Sequence, residues 1–589
     1  MAVERTGGAI RGRARRGAAL LAVIGCGALP VRPLAAQADR GVACDGLVVS
    51  DIVVSTRGPF LDGGIYDRVK VLARIGDAVH ATTREEVVRR FLALRVGEPC
   101  SEIRRLETAR ILRAQPFLAD ASVTAIPDGV GGVRLEVATV DEFSPVVGLS
   151  VTGGATSPTL KGLRLGTLNL AGDAVSIVGE WESGFVYRDL WAIQATDYQV
   201  LGRPYQLSLE GARRQLGSDW FAELSHPYFT DLQRIAWRVS AGEASSYAQF
   251  MRGDTVSSAA LMYARRFLDV GGVMRIGVPG RLSLFGASFS REREIADDLP
   301  VIVSDSGLVP DTSTALIGRY GRHRTARVNA LWGVRSIQFL RVFGFDALGS
   351  TQDVRRGFQL GTLFGRGLSA AGSKDDDIFV SMDLYGGFGT PRAFFGFQIQ
   401  GEGRQDYDRN RWDGVLGSGR MAWYFKPAIR QTTIASVEFG GGWRQRIPFQ
   451  LTLGDAEGGI RGYQGSRVGG SQRVVGRVEH RWLFPRAVRH ASTGIAFFAD
   501  AGRMWAGDAP FGVNSPVNSS VGIGLLAAVP VRARRVWRLD IAAPLGPDKR
   551  ESWTLRVSSS DRTRSFWHEP ADVRRGRERS TPTSIFNWP

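Results

Sequence analysis

Long apolar runs are missing from this 589-residue sequence once its first forty residues are passed. The mean hydropathy is -0.09, and 73 glycines are spread along the chain. A helix that spans a membrane needs about 18 or more consecutive apolar residues. The composition therefore excludes a bundle of membrane-spanning helices.

Lysine is also scarce. The formal net charge is +17, yet only five of the 75 basic residues are lysines. The arginines are spread along the chain, whereas a nucleic-acid-binding protein concentrates its basic residues on one face. We therefore expect no nucleic-acid partner, and the spread arginines favour a polar interior or contact with anionic lipid.

Residues typical of catalysis and metal binding are few and scattered. The six histidines have no metal-ligand spacing, and the chain contains no G-x-S-x-G elbow, P-loop or C-x-x-C pair. The acidic run in "SKDDDI", Ser373 to Ile378, would alternate faces at a strand end, so it predicts a solvated turn more readily than a divalent-ion site. We expect no enzyme activity, no cofactor and no metal.

The N-terminal segment has the pattern of a secretory signal. A basic stretch precedes an apolar run from Gly17 to Pro30, and small residues at Ala36 and Ala38 mark a cleavage site, so residues 1–38 are predicted to be a signal peptide. Cys26 lies in "VIGC", a weak lipidation motif, and is either lipidated or lost with the signal. An exported chain meets an oxidising compartment, so Cys44 and Cys100 are candidates for a disulfide.

Residues 44–142 predict a small α+β domain. "GLVVSDIVVS" has a strand pattern, two helical patterns follow, and "FLADASVTAIPDGVGGVRLEVATV" has the pattern of a hairpin, giving the order β-α-α-β-β. The first helix is expected to begin with a capping box formed by Thr83 and Glu86. The second is expected to bury one face, made of Ile103, Leu106, Ala109 and Leu112.

From about Pro145 onward, apolar and polar residues alternate with a period of two. Segments such as "RIAWRVSAGE", "TTIASVEFGGG" and "RVVGRVEHRWLF" repeat this pattern without intervening helices. With a signal peptide and arginine-rich inner positions, the pattern predicts a transmembrane antiparallel β-barrel over residues 145–566. Because a strand with its connection takes about 20 to 30 residues, we expect about 16 strands. Residues 567–589 form a basic tail, expected to be disordered or to occupy the periplasmic mouth.

Several motifs resemble known families. The order of the small domain, with "GEPCSEIRRLETARILRAQPFLADASV", resembles a POTRA domain, the periplasmic module of outer-membrane assembly factors. "GGIRGYQG", "RVEHRWLFP", "FFADAGRMW" and "WRLDIAAPLG" together resemble the BamA/TamA superfamily. This resemblance implies that an Arg-Gly-aromatic loop tip, Arg461, Gly462 and Tyr463, folds back into the barrel lumen.

Strand alternation provides an independent check on that loop. Glu479 falls on the face opposite Val478 and Trp482, and Asp500 falls on the face opposite its neighbours Ala499 and Ala501. Both carboxylates are thus expected to face the lumen and to bind Arg461, which would otherwise be an unpaired buried cation. We call the predicted contact of Arg461 with Glu479 and Asp500 the loop lock. The alternative is a mobile surface loop with an incidental Arg-Gly-Tyr.

The resemblance implies a factor that inserts or translocates other proteins at the outer membrane of a Gram-negative-type bacterium. Its expected partners are unfolded outer-membrane proteins, outer-membrane lipids and accessory periplasmic or lipoprotein subunits. A client strand would be received by the edge of the POTRA-like domain and by the seam between "PVVGLSVTGG" and "SWTLRVSSS". Two alternatives remain open: a two-partner secretion transporter, which normally carries two POTRA domains and a plug helix, and a passive pore.

Overall fold

A large antiparallel sheet dominates the computed structural model of the chain. The structure describes residues 41–59, 81–152, 159–184, 187–253, 258–304, 306–407, 409–454, 458–485 and 491–577. The predicted signal peptide lies outside the described residues, as does Cys26. Within the described residues, no helix is both long and apolar enough to cross a membrane.

The first folded unit after Val42 is a small sheet with two helices. Strands β1 (Val49–Arg57), β2 (Leu118–Pro127) and β3 (Val133–Asp141) lie in the order β1-β3-β2. Strand β1 is parallel to β3, and β2 is antiparallel to it. Helices α1 (Glu85–Arg90) and α2 (Glu102–Ala114) complete the order β-α-α-β-β among the described residues.

Local details of these helices differ from the expectations. Thr83 does not cap α1, because its backbone N–H and its hydroxyl both donate to Asp141, at 2.7 and 2.8 Å. On α2, Ala109 and Leu112 are buried as expected, whereas Ile103 and Leu106 are 46% and 40% exposed. The guanidinium of Arg105 instead turns inward to Val123 O, which rotates the buried face away from Ile103 and Leu106.

A disulfide joins Cys44 to Cys100 in this small domain. Both residues are buried in its apolar core, together with residues from all three strands and both helices. The bond ties the segment before β1 to the residue that precedes the N-cap of α2.

The barrel follows directly. Its strands are β4 (Pro145–Thr152), β5 (Thr159–Thr167), β6 (Val175–Glu182), β7 (Leu190–Asp197), β8 (Gln206–Arg214), β9 (Gly217–His226), β10 (Ile235–Phe250), β11 (Ser258–Val278), β12 (Arg281–Ala296), β13 (Val301–Ser304), β14 (Gly307–Pro310), β15 (Arg322–Phe343), β16 (Thr351–Gly367), β17 (Asp377–Gly389), β18 (Ala393–Asp406), β19 (Arg411–Ala428), β20 (Gln431–Trp443), β23 (Gln472–Leu483), β24 (Ser492–Trp505), β25 (Asn518–Ala528), β26 (Arg535–Pro544) and β27 (Thr554–Asp561). Strands β21 (Leu451–Thr452) and β22 (Gly469–Gly470) pair with each other in the loop between β20 and β23. A last short helix, α3 (Ala571–Gly576), follows β27.

The predicted fold class is confirmed, but the strand number exceeds the expected 16. The sheet order contains 22 strands, of which β13 and β14 form a short hairpin beyond β11 while β12 pairs directly with β15. Without that hairpin, 20 strands form the wall. The number of strands was underestimated because β4 to β9 are only 8 to 10 residues long and are joined by short connections, so each takes fewer residues than assumed.

The wall has one irregular junction, which we call the seam. Strands β27 and β4 are neighbours in the strand order, which brings the two ends of the sheet together. The other neighbouring wall strands are joined by ladders of paired residues, with register shifts only in β4–β5, β18–β19 and β19–β20, whereas in the described part of the chain no paired register joins β27 to β4. The barrel is thus not closed by a ladder at the seam.

The small domain packs against the end of the barrel where β4 begins, which we call the domain end. The guanidinium of Arg113 on α2 binds Asp353 of β16 at 2.7 Å. Asn169, in the β5–β6 turn, donates to the Thr83 hydroxyl at 2.8 Å, and Gln199, in the β7–β8 turn, donates to Val87 O at 2.9 Å. The opposite end of the barrel is called the distal end below.

Candidate functional site: the loop and ion pairs in the barrel lumen

The loop between β20 and β23 leaves the wall at the distal end and turns back into the lumen. It is held in shape by its own backbone, since Ile460 N donates to Leu453 O and Gly459 N donates to Gly454 O, at 3.0 and 2.9 Å. Residues 455–457 lie outside the described part of the loop. The tip that carries Arg461 is therefore an ordered turn and not an extended surface loop.

Glycine is required at the tip for a conformational reason. Gly462 has φ of +90°, a backbone region that residues with a Cβ rarely adopt. A Cβ at Gly462 would also lie 3.4 Å from Ala542 Cβ on β26. The left-handed turn at Gly462 allows the side chains of Arg461 and Tyr463 to reach different parts of the wall.

The structure brings Arg461, Glu479 and Asp500 together. Arg461 Nε and Nη2 donate to the two carboxylate oxygens of Asp500 at 2.8 and 2.6 Å, and Nη1 donates to Glu479 Oε2 at 2.9 Å. The backbone N–H of Arg461 also donates to Asp500, at 3.2 Å. The guanidinium carbon lies 3.6 Å from the ring centroid of Phe498, which adds a cation–π contact.

Burial and charge act in opposite directions on Arg461. Burial alone would lower the pKa of Arg461, but the hydrogen bonds and charges of Asp500 and Glu479 raise that pKa above its ordinary value. Arg461 therefore stays charged, and the two carboxylates must stay close to it because an uncompensated buried cation is costly.

Glu479 is shared by three arginines. Besides Arg461, it accepts from Arg481 Nε at 2.6 Å and from both terminal nitrogens of Arg538 at 3.0 Å. Arg538 also pairs with Asp540, two residues further along β26, at 3.1 Å. Arg477 lies 4.0 Å from Asp500 and binds Glu438 at 3.0 Å, so the four arginines of the cluster face the four carboxylates of Glu438, Glu479, Asp500 and Asp540, and its formal charges balance.

Tyr463 fastens the other side of the tip. Its hydroxyl donates to Ser519 O at 3.2 Å and accepts from Gly546 N at 2.9 Å. The ring is buried in an apolar cluster that contains residues of the loop, of the wall and of the segment after β27, namely Leu416, Phe449, Leu451, Leu453, Ile460, Val475, Met504 and Val573. The loop is therefore held by packing as well as by charge.

Strand alternation places the wall residues as the sequence indicated. Val474, Val478 and Trp482 are exposed on the outer face of β23, and Glu479 is buried on the inner face. On β24, Phe497 is exposed and Asp500 is 2% exposed. Those faces follow from the sequence alone, whereas the meeting of the loop with β23 and β24 does not.

Sequence reasoning missed several members of the cluster. Arg538 and Asp540 were not identified, although they alternate with Trp537, Leu539 and Ile541 in "WRLDIAAPLG" and so share one face of β26. Phe498 was also missed. No local signal exists for the pairing of Arg473 with Asp572, because these residues are 99 positions apart.

The remaining predicted sites are separate from this cluster. The disulfide of Cys44 and Cys100 lies in the small domain. In "SKDDDI", Asp377 is not solvated, because it is buried against Arg327 at 2.6 Å, and Asp375 binds Arg446. Among the described residues, no three His, Cys, Asp or Glu side chains are grouped closely enough to hold a metal ion.

Comparison with known families gives a match over the C-terminal part of the wall. Residues 429–556, which contain β20, the loop, and β23 to β26, match the model of the Omp85 superfamily domain. This part of the chain is therefore an Omp85 superfamily domain. The match confirms the resemblance to BamA/TamA-type proteins that the motifs between Gly458 and Gly546 indicated.

Solved structures similar to this chain share little sequence with it. BamA from Haemophilus ducreyi lacking POTRA domains 1–3 is 13% identical, with 87% of this chain and 84% of that chain covered and a TM-score of 0.38. CdiB from Acinetobacter baumannii is 11% identical, with 87% and 74% covered and a TM-score of 0.39. CdiB from Escherichia coli is 12% identical, with 90% and 92% covered and a TM-score of 0.37. The comparison with curated proteins found no match.

Proposed function

We propose that this protein inserts or translocates other proteins at the outer membrane of a Gram-negative-type bacterium, with its small domain in the periplasm. Clients are unfolded outer-membrane proteins, which reach the small domain and then the seam between β27 and β4. The Omp85 superfamily domain at residues 429–556 supports a role in outer-membrane assembly or translocation. The route through the seam is our inference.

The observation that carries the proposal is the seam. Along the other wall junctions the backbone N–H and C=O groups are paired between neighbouring strands. A strand edge with unpaired backbone groups is a template for another strand. Opening the seam would present two such edges to a client while the rest of the wall kept its ladders.

The small domain contacts both sides of the seam. On one side, it continues into β4 through residues 142–144. On the β27 side, Glu142 accepts from Arg534 N, just before β26, at 3.2 Å, and Arg564, three residues after β27, donates to Gln115 O at the C-terminal end of α2 at 3.3 Å. A client held on the small domain would therefore be released beside the seam.

The test is a disulfide across the seam. Val147 on β4 and Val557 on β27 are both exposed on the outer face. Val147→Cys would be combined in turn with Leu555→Cys, Val557→Cys and Ser559→Cys, so that one pair crosslinks whatever the local register. The readout is the fraction of an unfolded barrel client that becomes heat-modifiable in proteoliposomes containing the oxidised or the reduced protein.

The matched control is a crosslink at a paired junction. Ile523 on β25 lies opposite Ile541 on β26, and both side chains are exposed. We expect the oxidised seam pair to stop insertion, reduction to restore it, and Ile523→Cys with Ile541→Cys to insert clients in either state. Equal insertion by oxidised and reduced seam pairs would refute the seam route. No insertion by any form would favour the secretion or passive-pore alternatives.

A further inference from the structure

The described residues after β27, which end at Arg577, do not leave the barrel. The segment 562–577, called here the C-terminal segment, starts at the domain end, where Arg564 binds Gln115 O of the small domain. It then turns into the lumen, where Phe566 O accepts from Arg420 Nη1 of β19 at 2.7 Å. Arg420 lies on the inner face of β19, because its neighbour Met421 is exposed on the outer face.

Further along, the segment reaches the distal half of the lumen. Arg577 Nε donates to both carboxylate oxygens of Glu569 at 2.8 and 2.6 Å, and Arg577 Nη1 donates to Glu402 of β18 at 3.2 Å. Arg577 Nη2 donates to the Ser418 hydroxyl of β19 at 2.8 Å, and Ser418 also contacts Glu569. This group joins the C-terminal segment to two neighbouring wall strands.

Helix α3 is joined to the loop as well as to the wall. Asp572 accepts from Arg473 of β23 at 2.6 and 3.1 Å, and both side chains are almost fully buried. The same Asp572 accepts from Thr452 N of the loop at 3.3 Å, and Arg473 donates to Thr452 O. Val573 is completely buried in the apolar cluster that also holds Tyr463.

The number of wall strands indicates whether the lumen would be open without the C-terminal segment. Barrels of 16 to 18 strands leave an aqueous channel, and barrels of about 22 strands carry a plug in the lumen. A wall of 20 strands is therefore wide enough to conduct unless something fills it. Here the loop occupies part of the lumen, and the C-terminal segment crosses the rest from the domain end to the loop.

We propose that the C-terminal segment is an internal plug, and that the lumen conducts ions and small solutes only when this segment is withdrawn. A cavity of about 380 Å³ remains between the plug and the wall, lined by charged side chains that include Arg481, Arg538 and Arg562. Because this lining is ionic, the plug is held there by polar contacts that water can replace on withdrawal. The inference is independent of whether the protein inserts or secretes its clients.

The first test is conductance of the purified full chain in planar bilayers, compared with a chain that ends at Arg564. We expect removal of residues 565–589 to raise the conductance by roughly tenfold or more, because it removes every lumen contact beyond Arg564. The matched control ends at Arg577, keeps all of the contacts above, and is expected to conduct like the full chain. Heat-modifiable gel migration shows that each barrel is folded.

A second variant keeps the chain at full length, in case the shortened chain does not fold. Asp572→Arg faces Arg473, and Arg577→Glu faces Glu402 and Glu569, so the double variant replaces two sets of attractive contacts by repulsion. We expect this double variant to conduct in bursts as the segment leaves and returns.

An engineered disulfide tests whether the pore opens because the C-terminal segment withdraws from the lumen. A Cβ added at Gly440 on β20 would lie 2.9 Å from Val573 Cγ2, so Gly440→Cys and Val573→Cys are close enough to bond. In the charge-changed double variant, this pair should keep the pore closed when oxidised and open it on reduction. The same variant without the added cysteines controls for reduction of the native disulfide. A folded chain ending at Arg564 that conducts no more than the full chain, or an oxidised pair that conducts as freely as the reduced one, would overturn the proposal.

Discussion

Reversing the charge of Arg461 is the most direct perturbation of the loop lock. Arg461→Glu would remove three side-chain hydrogen bonds to Asp500 and Glu479 and place a third carboxylate beside them. The site is 9% exposed, so water cannot replace the lost contacts freely. We expect the loop to leave its place in the lumen.

The size of the effect follows from the burial of the pair. Removing one partner of a buried ion pair costs about 3 to 5 kcal/mol. Repulsion between like charges about 4 Å apart adds up to about 4 kcal/mol at an effective dielectric constant near 20. Domains are stable by only about 5 to 15 kcal/mol, so the change is a large fraction of what holds the barrel together.

The two carboxylates should differ as sites of rescue. Asp500 is bound mainly by Arg461, and its other arginine, Arg477, is 4.0 Å away. Glu479 is also needed by Arg481 and Arg538. Asp500→Arg should therefore restore much of the stability of Arg461→Glu, whereas Glu479→Arg should not, because it would face those two arginines.

The assay is the temperature at which the folded band of the barrel is lost on a heat-modifiable gel, supported by urea unfolding in detergent. Arg550→Glu is the control, since Arg550 is exposed on the loop between β26 and β27. We expect Arg461→Glu to lower the transition and Arg550→Glu to leave it unchanged. If Arg461→Glu unfolds at the same temperature and urea concentration as the parent, the loop lock does not stabilise the barrel and the reasoning fails.

Two further predictions concern the small domain. Burial raises the pKa of Glu142, between β3 and β4, from 4.5 to about 7. Between these two pH values the folded protein keeps a proton on Glu142 that the unfolded chain has lost. The free energy of unfolding should therefore fall by about 3 kcal/mol as the pH rises from 4.5 to 7, and then level off. Urea unfolding across this pH range should show the fall in unfolding free energy, and the Glu142→Gln variant should not show it. If the unfolding free energy of Glu142→Gln falls equally with pH, another group is responsible. Cys100→Ser should destabilise the domain by roughly 4 kcal/mol, since the disulfide closes a loop with a sequence separation of 56. Protease resistance of residues 42–144 that is equal in the variant and the parent would contradict this.

The sequence was most informative where structure depends on alternation. The inner position of Glu479 and Asp500 and the outer position of Val478 and Phe497 follow from a period of two, which a strand cannot violate without turning over every side chain. The sequence was least informative for the number of strands. That number was estimated by dividing the length of the barrel region by an average length for one strand with its connection, and this length varies too much along the chain. The loop-lock contacts, by contrast, were proposed from motif resemblance together with alternation, and their stabilising role stays a prediction.

Helix faces and tertiary contacts explain the remaining differences. Thr83 had the residue type and spacing of a cap, but a buried carboxylate, Asp141, competes for its hydroxyl. Ile103 and Leu106 had helical spacing, but the inward turn of Arg105 changes which side of α2 is buried. The tail, residues 567–589, was expected to be disordered or at the periplasmic mouth, whereas its described part, residues 567–577, lies in the lumen. Its partners Glu402, Ser418 and Arg473 are far away in sequence, so nothing local indicates that it enters the lumen.

The loop and the C-terminal segment support each other physically. Arg473 binds Asp572 of the segment and Thr452 O of the loop, and Val573 packs in the same apolar cluster as Tyr463 and Ile460. Withdrawal of the segment would leave Arg473 without its carboxylate and would open one side of the cluster. The loop lock at Arg461 lies on the other side, held by β23 and β24 through contacts that do not involve the segment. The lumen can therefore open by release of the segment while Arg461, Glu479 and Asp500 keep the loop tip on the wall, so that opening the pore need not unfold the barrel.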